Sequence, residues 1–400
     1  MNDDAQTPQD TNARTVRTLW LADNFHRWCR QPYSKHLVCV LVLVMVPLLR
    51  WWPALTNGTE PLGDEPAYQA AFSRVANGQS PYGGTDFVYP AVFAFAGAKS
   101  VDLIGLEYTM YALRGANLLG LAIVLWCSMA WLAWPLAGRL ALGAAVILLA
   151  PQVSLAVLLG NVSLTVAGLV VGSLLAVPRA PVTAGLALGA SIALKPVAPM
   201  AVACLAAATH EAAPRARWIA AGGAAFVVLV LLGAFPYMDQ LIALQATDRV
   251  ATSVSLHRVP KVLGFDVNAL WLSVPLALVA LSIVRKLELG RARFLCFATT
   301  ASLVVLPLVW SHTLILLLPL QMLALYVAVD RVRGSSNQGH SASRWLEPVL
   351  VVLAVASLQF SAGAGVIDDQ GVVVQLAGAL LPALAPIGLL AYLLGHTEAF

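Results

Sequence analysis

Polar side chains that interrupt apolar stretches are the first candidates for chemistry in this chain. Adjacent carboxylates stand at Asp64-Glu65, directly before Pro66. Asn161 follows Gly160 between two apolar runs, Lys195-Pro196 splits the run 181–208, and His312 ends a Trp310-Ser311-His312 turn. Asp239, Asp248, Arg249, His257, Arg258, Lys261 and Asp266 gather in 237–266. An ionisable residue inside an apolar segment is costly and is a site hypothesis by default; Lys195 is the clearest. The basic group Arg249, Arg258 and Lys261 suits an anionic, lipid-linked substrate at a membrane face. No Asp-x-Asp motif occurs, so a metal-bound nucleotide-sugar site finds no support. Cys29, Cys39, Cys127, Cys204 and Cys296 form no CxxC pair, which argues against a disulfide framework or thiolate metal site. No cofactor is expected.

The elements that must carry these residues are membrane helices. Hydrophobic residues make up 59% of the chain and charged ones 11%, against about 25% charged in soluble domains. The mean hydropathy is +0.78. The net charge of +4 is small and argues against a nucleic-acid partner. A transmembrane helix needs roughly 20 apolar residues. Candidates lie at 37–55, 111–134, 140–158, 162–177, 218–236, 267–284, 294–309, 313–330, 346–363 and 373–394, with 181–208 broken into two at Lys195-Pro196. That gives an all-α polytopic membrane protein of about a dozen passes. The stretch 88–106, interrupted by Lys99 and Asp102, is too short to cross twice and reads as a re-entrant or shallow hairpin. Residues 1–36 read as a flexible cytoplasmic arm, and 37–396 as one transmembrane domain.

Basic residues orient the bundle. With the arm inside, Arg139, Arg179, Arg215, Arg217, the run from Arg285 to Arg293 and the run from Arg331 to Arg344 share its side. Glu60, Asp64, Glu65, Asp86, Asp368 and Asp369 fall opposite. Both termini are then cytoplasmic. The loops 56–87 and 237–266, the Gly160-Asn161 turn, the Lys195-Pro196 break and His312 all meet at the outer face, which is taken as the site. Loop 56–87 carries its own helix: Asp64 and Pro66 signal a start and Gly78 a stop. Ala67, Ala71, Phe72 and Val75 make an apolar stripe suited to the interface plane. Phe87, Tyr89 and Pro90 lead back into the membrane.

These residues resemble glycosyltransferase family 87, polyprenyl-phosphate-sugar-dependent mannosyltransferases and relatives with the GT-C fold. The resemblance rests on Asp64-x3-Tyr68-x-Ala70-Ala71, Gly78-x-Ser80-Pro81-Tyr82 and Phe87-x-Tyr89-Pro90, then Gly160-Asn161. Ala184-Gly185-Leu186-x-Leu188-Gly189 with Leu194-Lys195-Pro196, and Trp310-Ser311-His312 followed by Leu316 to Pro319, complete it. It spans about 60 to 325, with Tyr89-Pro90-Ala91 where the family usually has Tyr-Pro-Pro.

The resemblance implies inverting transfer of a sugar, mannose first, from a polyprenyl phosphate to a hydroxyl of a glycolipid or glycan. The place would be the outer face of a bacterial-type cytoplasmic membrane. An attacking hydroxyl needs a general base: Asp64 matches the family position and Glu65 competes with it. The leaving phosphate needs cations or hydrogen bonds, which Lys195, His312, Arg249, Arg258 and Lys261 could supply. Tyr68, Tyr82, Tyr89 and Asn161 are candidate substrate contacts. Each has a plainer rival. Asp64 could simply cap its helix, Lys195 could snorkel, and Asn161 and His312 could be structural. Tyr82 and Tyr89 could anchor the interface, and Arg74, Lys99 and Arg114 could pair with lipid headgroups. A polyprenyl-phosphate-arabinose-dependent arabinofuranosyltransferase is the alternative within the class. A lipid-linked sugar transporter or flippase is the alternative outside it, although such a protein should show paired broken helices in two related halves.

Overall fold

The computed structural model describes residues 33–56, 62–83, 86–132, 135–176, 180–195, 258–265, 270–286, 291–305, 311–334, 349–356 and 372–395, with isolated residues between them. The arm 1–32, the stretch 218–236 except Gly222 and Gly223, and most of 237–257 lie outside the described residues. Among the described residues the regular structure is helical throughout, as the apolar runs require.

Helix α1 (Tyr33–Arg50) buries Cys39 and Leu43 and turns Leu37, Val38, Leu41, Met45 and Leu49 outward. An exposed apolar stripe of this kind is covered by hydrocarbon in a membrane bundle. A short turn, α2 (Trp52–Thr56), follows. After α3 (Glu65–Ala76) and α4 (Ala91–Ile104) comes α5 (Leu106–Ser128), 23 residues long. At 1.5 Å per residue it is about 34 Å long, enough for the hydrocarbon core. It is the one described helix that is long and apolar enough to cross alone.

The stretch 140–158, expected as one pass, is instead α6 (Leu136–Leu149) and α7 (Pro151–Leu158), bent by 67°. Pro151 has no N–H to continue the helix, and it forces Ala150 into an extended conformation (φ −83°, ψ 110°). Helices α8 (Ser163–Ala176) and α9 (Pro181–Leu194) are shorter than a full crossing. As expected, α9 stops at Lys195, which is extended (φ −154°, ψ 91°) before Pro196.

The order continues with α10 (Arg258–Val262), α11 (Leu270–Lys286), α12 (Arg291–Val305), a 3₁₀ turn (Ser311–Leu317), α13 (Leu318–Gly334) and α14 (Val372–Gly395). Helix α5 is central, packing on α1, α4, α8 and α13, and α8 lies between α5 and α9. The α5–α8 crossing is backbone on backbone. A Cβ at Gly120 would meet the Leu164 carbonyl at 2.3 Å, and one at Gly168 would meet Gly120 Cα at 2.6 Å.

The stretch 88–106 forms the single helix α4, which turns into α5 at Gly105 (φ +85°) and packs against it. Its 14 residues reach about 21 Å, short of a crossing. Helix α3 starts and stops where Asp64 and Gly78 (φ +70°) place its ends. Its buried face is Tyr68, Ala71 and Phe72, packed on α4, so protein rather than the membrane surface covers it. Gly97 of α4 makes room, since a Cβ there would fall 2.3 Å from the Phe72 ring. Tyr68, Phe72, Phe87, Tyr89 and Phe93 form one aromatic layer. Its ring separations include 5.2 Å for Tyr68–Tyr89, 5.3 Å for Tyr68–Phe93 and 5.4 Å for Phe72–Phe93. Such pairs contribute about 0.5–1.5 kcal/mol each beyond area burial.

Candidate active site

Asp64 precedes the first turn of α3, yet its carboxylate makes no capping hydrogen bond. It accepts instead from Asn161 Nδ2. The capping rival therefore does not describe this side chain. Its backbone is fixed across the fold: Asp64 N–H donates to the Leu159 carbonyl at 2.7 Å, and Gly63 N–H to Leu158 at 3.4 Å. The end of α7 thus holds the start of α3 in place.

Asn161 occupies the Gly160-Asn161 turn and is fully buried. Its Nδ2 donates to Asp64 and to Tyr89 Oη, the latter at 2.6 Å. Its Oδ1 accepts from Ser163 N–H at 2.9 Å and Ser163 Oγ at 2.6 Å. A side-chain amide offers two donors and two acceptor sites, and all four are used. Its orientation is set by those partners, and nothing is left for a substrate. Asn161, a candidate substrate contact, is bonded to Asp64.

The same chain of bonds reaches Lys195. Its Nζ donates to Ser163 Oγ at 2.9 Å and approaches Thr313 Oγ1 at 3.5 Å. It sits 5.9 Å from the Tyr89 ring centre. A snorkelling lysine would turn toward the headgroups; this one turns into the bundle. Four separate elements meet here: the start of α3, the α7–α8 turn, the end of α9 and the 3₁₀ turn at 311–317.

The electrostatics of Asp64 are mixed. Burial pushes its carboxyl above the ordinary aspartate range, while the Asn161 donor, the Lys195 charge and the Tyr89 hydroxyl pull it back down. Burial also raises the phenols of Tyr68, Tyr82 and Tyr89, so they remain protonated donors.

Glu65, one residue on, points the other way. It is wholly buried and takes a two-pronged contact from Arg114, Nε to Oε1 and Nη2 to Oε2, both 2.7 Å. Leu62 N–H adds a third bond at 2.9 Å. Arg114, for which a site role and headgroup pairing were equally open, is an internal cation on α5 bonded to Glu65. Of the other two, Lys99 pairs with Asp102 at the surface (3.3 Å) and Arg74 Nε donates to the Ser80 carbonyl (2.7 Å).

Among the remaining candidates, Tyr68 lies in the aromatic layer, with its hydroxyl accepting from Val162 N–H at 3.4 Å. Tyr82 Oη donates to the Tyr89 carbonyl at 2.9 Å. Arg258 is buried on α10, which packs on α14. Lys261 and His312 fall on described helical turns, but their side chains lie outside the described residues, as does all of Arg249. Ser163, Thr313 and the Arg114–Glu65 pairing were not foreseen. Ser163 had one signal, its place two residues beyond Asn161 at the start of α8. Thr313 had only its position beside His312.

The chain is similar to two solved structures of ArnT from Cupriavidus metallidurans. Against the one bound to undecaprenyl phosphate the identity is 17% and the TM-score 0.43, covering 90% of this chain and 77% of that one. Against the apo state the identity is 15% and the TM-score 0.39, covering 92% and 78%. No family model and no curated protein matches the chain.

Proposed function

We propose that the protein is an integral-membrane inverting glycosyltransferase that moves mannose from a polyprenyl-phosphate donor to a hydroxyl of a glycolipid or glycan at the outer face of the membrane. Asp64 is the general base. The observation that carries this reading is a carboxylate at a helix start that caps nothing and is held by Asn161, with Lys195 close enough for its charge to act on it. Support also comes from the outer-loop residues that resemble glycosyltransferase family 87. Their partner motifs, Gly160-Asn161 and Leu194-Lys195, meet Asp64 and Tyr89 in space.

In the proposed reaction the acceptor oxygen attacks the anomeric carbon as the bond from that carbon to the lipid phosphate breaks. Asp64 takes the hydroxyl proton, and the lipid monophosphate leaves with the bonding electrons. General-base catalysis of this kind contributes about 10²–10⁴-fold. Lys195 supplies positive charge for the phosphate, drawing on an ammonium already aimed inward by Ser163. Glu65 has both carboxylate oxygens committed to Arg114 and Leu62, which leaves Asp64 as the base of the two.

The test is transfer of radiolabelled mannose from polyprenyl-phosphate-mannose by membranes containing wild type or Asp64→Asn, with a polyprenyl-phosphate-arabinose arm run in parallel. Mannose transfer that disappears with Asp64→Asn supports the reading. Transfer from the arabinose donor alone moves the protein to the arabinosyl class. Undiminished transfer by Asp64→Asn would remove Asp64 as base.

A further inference from the structure

The Glu65–Arg114 pair lies next to the site without belonging to it. Arg114 is 5% exposed and Glu65 0%, so neither side chain reaches solvent or a ligand. Three guanidinium nitrogens are engaged: Nε and Nη2 with Glu65, and Nη1 with the Leu55 carbonyl at 2.7 Å. One side chain on α5 therefore grips both ends of the segment that runs from α2 to α3. On the other side the backbone of Gly160 (φ +63°) packs close to this segment with no room for a side chain; a Cβ there would lie 3.0 Å from Glu65 Cγ and 3.0 Å from Leu62 Cβ. The Asp64–Glu65 peptide is thus held between α5 and the α7–α8 turn, and Asp64 N–H is bonded to Leu159.

We propose that Glu65 and Arg114 are positioning residues that set the direction of the Asp64 carboxylate, keeping it on Asn161 and within reach of an acceptor. The inference rests on the reading of Asp64 as base. Arginine suits the role because its planar fork fixes two oxygens at once, whereas lysine offers a single point charge. A pair with no net charge also places a second carboxylate beside Asp64 without repelling its ionised form.

The experiment compares wild type with the double variant Glu65→Met/Arg114→Met and with Arg114→Lys. A buried pair exchanged whole for apolar residues of similar volume is often neutral in stability. The exchange also removes no net charge, so a change at Asp64 reports geometry. Two quantities are read: kcat against donor KM, and the pH midpoint of carbodiimide labelling at Asp64, followed by mass spectrometry. Burial raises that midpoint, and Asn161, Lys195 and Tyr89, the groups that face Asp64, lower it.

The expected result is a folded double variant with kcat down about 10²-fold, as for a misplacement near 1 Å, and donor KM unchanged. Its labelling midpoint moves upward as the Asn161 bond is lost. Wild-type kcat per folded molecule together with a wild-type midpoint would overturn the proposal. If the double variant does not fold, Arg114→Lys decides in the same way: a raised midpoint supports the clamp and an unchanged one refutes it. If wild type transfers no sugar, the enzymatic reading fails on its own, and the labelling midpoint still decides whether the pair positions Asp64.

Discussion

At the scale of single residues, the proposed base Asp64 is a carboxylate in a partly buried place. Burial favours its protonated form, but a base must be ionised to accept a proton. The kcat/KM profile is therefore expected to lose activity as pH falls through a midpoint above the ordinary aspartate value of about 3.9. Asn161 favours the charged form, so Asn161→Ala should move that acid limb further up. A limb that stays in place would separate Asn161 from the base. Asp64→Asn should lose roughly a hundredfold or more in rate while donor binding persists, as measured by equilibrium binding of the labelled lipid. Lys195→Ala should weaken donor affinity; unchanged affinity would leave Lys195 as a tether between α8 and α9. Lys195 was legible in the sequence because it breaks an apolar run beside Pro196, and Asp64 because it stands before Glu65-Pro66 at a helix start in the loop 56–87. Ser163 and Thr313 were not, since a hydroxyl at a helix start has many ordinary uses and only the fold brings these two to Lys195. The Glu65–Arg114 bond spans 49 residues, a pairing that no local pattern announces.

At the scale of elements, glycine decides where helices touch. Gly97→Val would drive a branched side chain into the Phe72 ring, and overpacking of this kind costs about 1–3 kcal/mol. The expected outcome is a lower melting temperature in detergent together with a looser α3. An unchanged melt would mean that the aromatic layer can repack around the intruder. Gly120→Val should be worse, because the atom in its way is the backbone carbonyl of Leu164, which cannot rotate aside. The ends of α3 were readable from Asp64, Pro66 and Gly78, while the face it buries was only half readable. Tyr68 was singled out as a substrate contact, yet it is the centre of the layer. A phenol serves either purpose, and the sequence holds no record of α4 lying opposite. The bend at Pro151 was hidden for another reason: the apolar run continues through it, and hydropathy does not register a missing N–H.

At the scale of the whole molecule, the chain is a helical bundle with Leu, Val and Trp side chains turned outward, from Leu37 on α1 to Trp271 on α11. That surface suits lipid, and composition alone foretold it. The sidedness inferred from Lys and Arg places α3 and its neighbours on the outer face. Single cysteines at Ser73, exposed on α3, and at Ser335 test it with an impermeant thiol reagent on intact cells. Ser73→Cys should label and Ser335→Cys should not. The reverse pattern would move the site to the cytoplasmic side and remove an externally facing acceptor.

The saturated amide of Asn161 also bears on how the protein ages. Hydrolytic deamidation would leave a carboxylate where the Nδ2 donor now stands, against the oxygen it holds. Two acidic groups in that position share one proton rather than both ionising, so the proposed base would titrate as half of a pair and not on its own. Asn161→Asp should accordingly raise the acid limb of kcat/KM further than Asn161→Ala does, and lower the melting temperature, since the donor to Tyr89 is lost as well. A slow loss of activity in stored, still-folded protein would then carry a signature in mass: a gain of about one dalton on the peptide containing Gly160-Asn161.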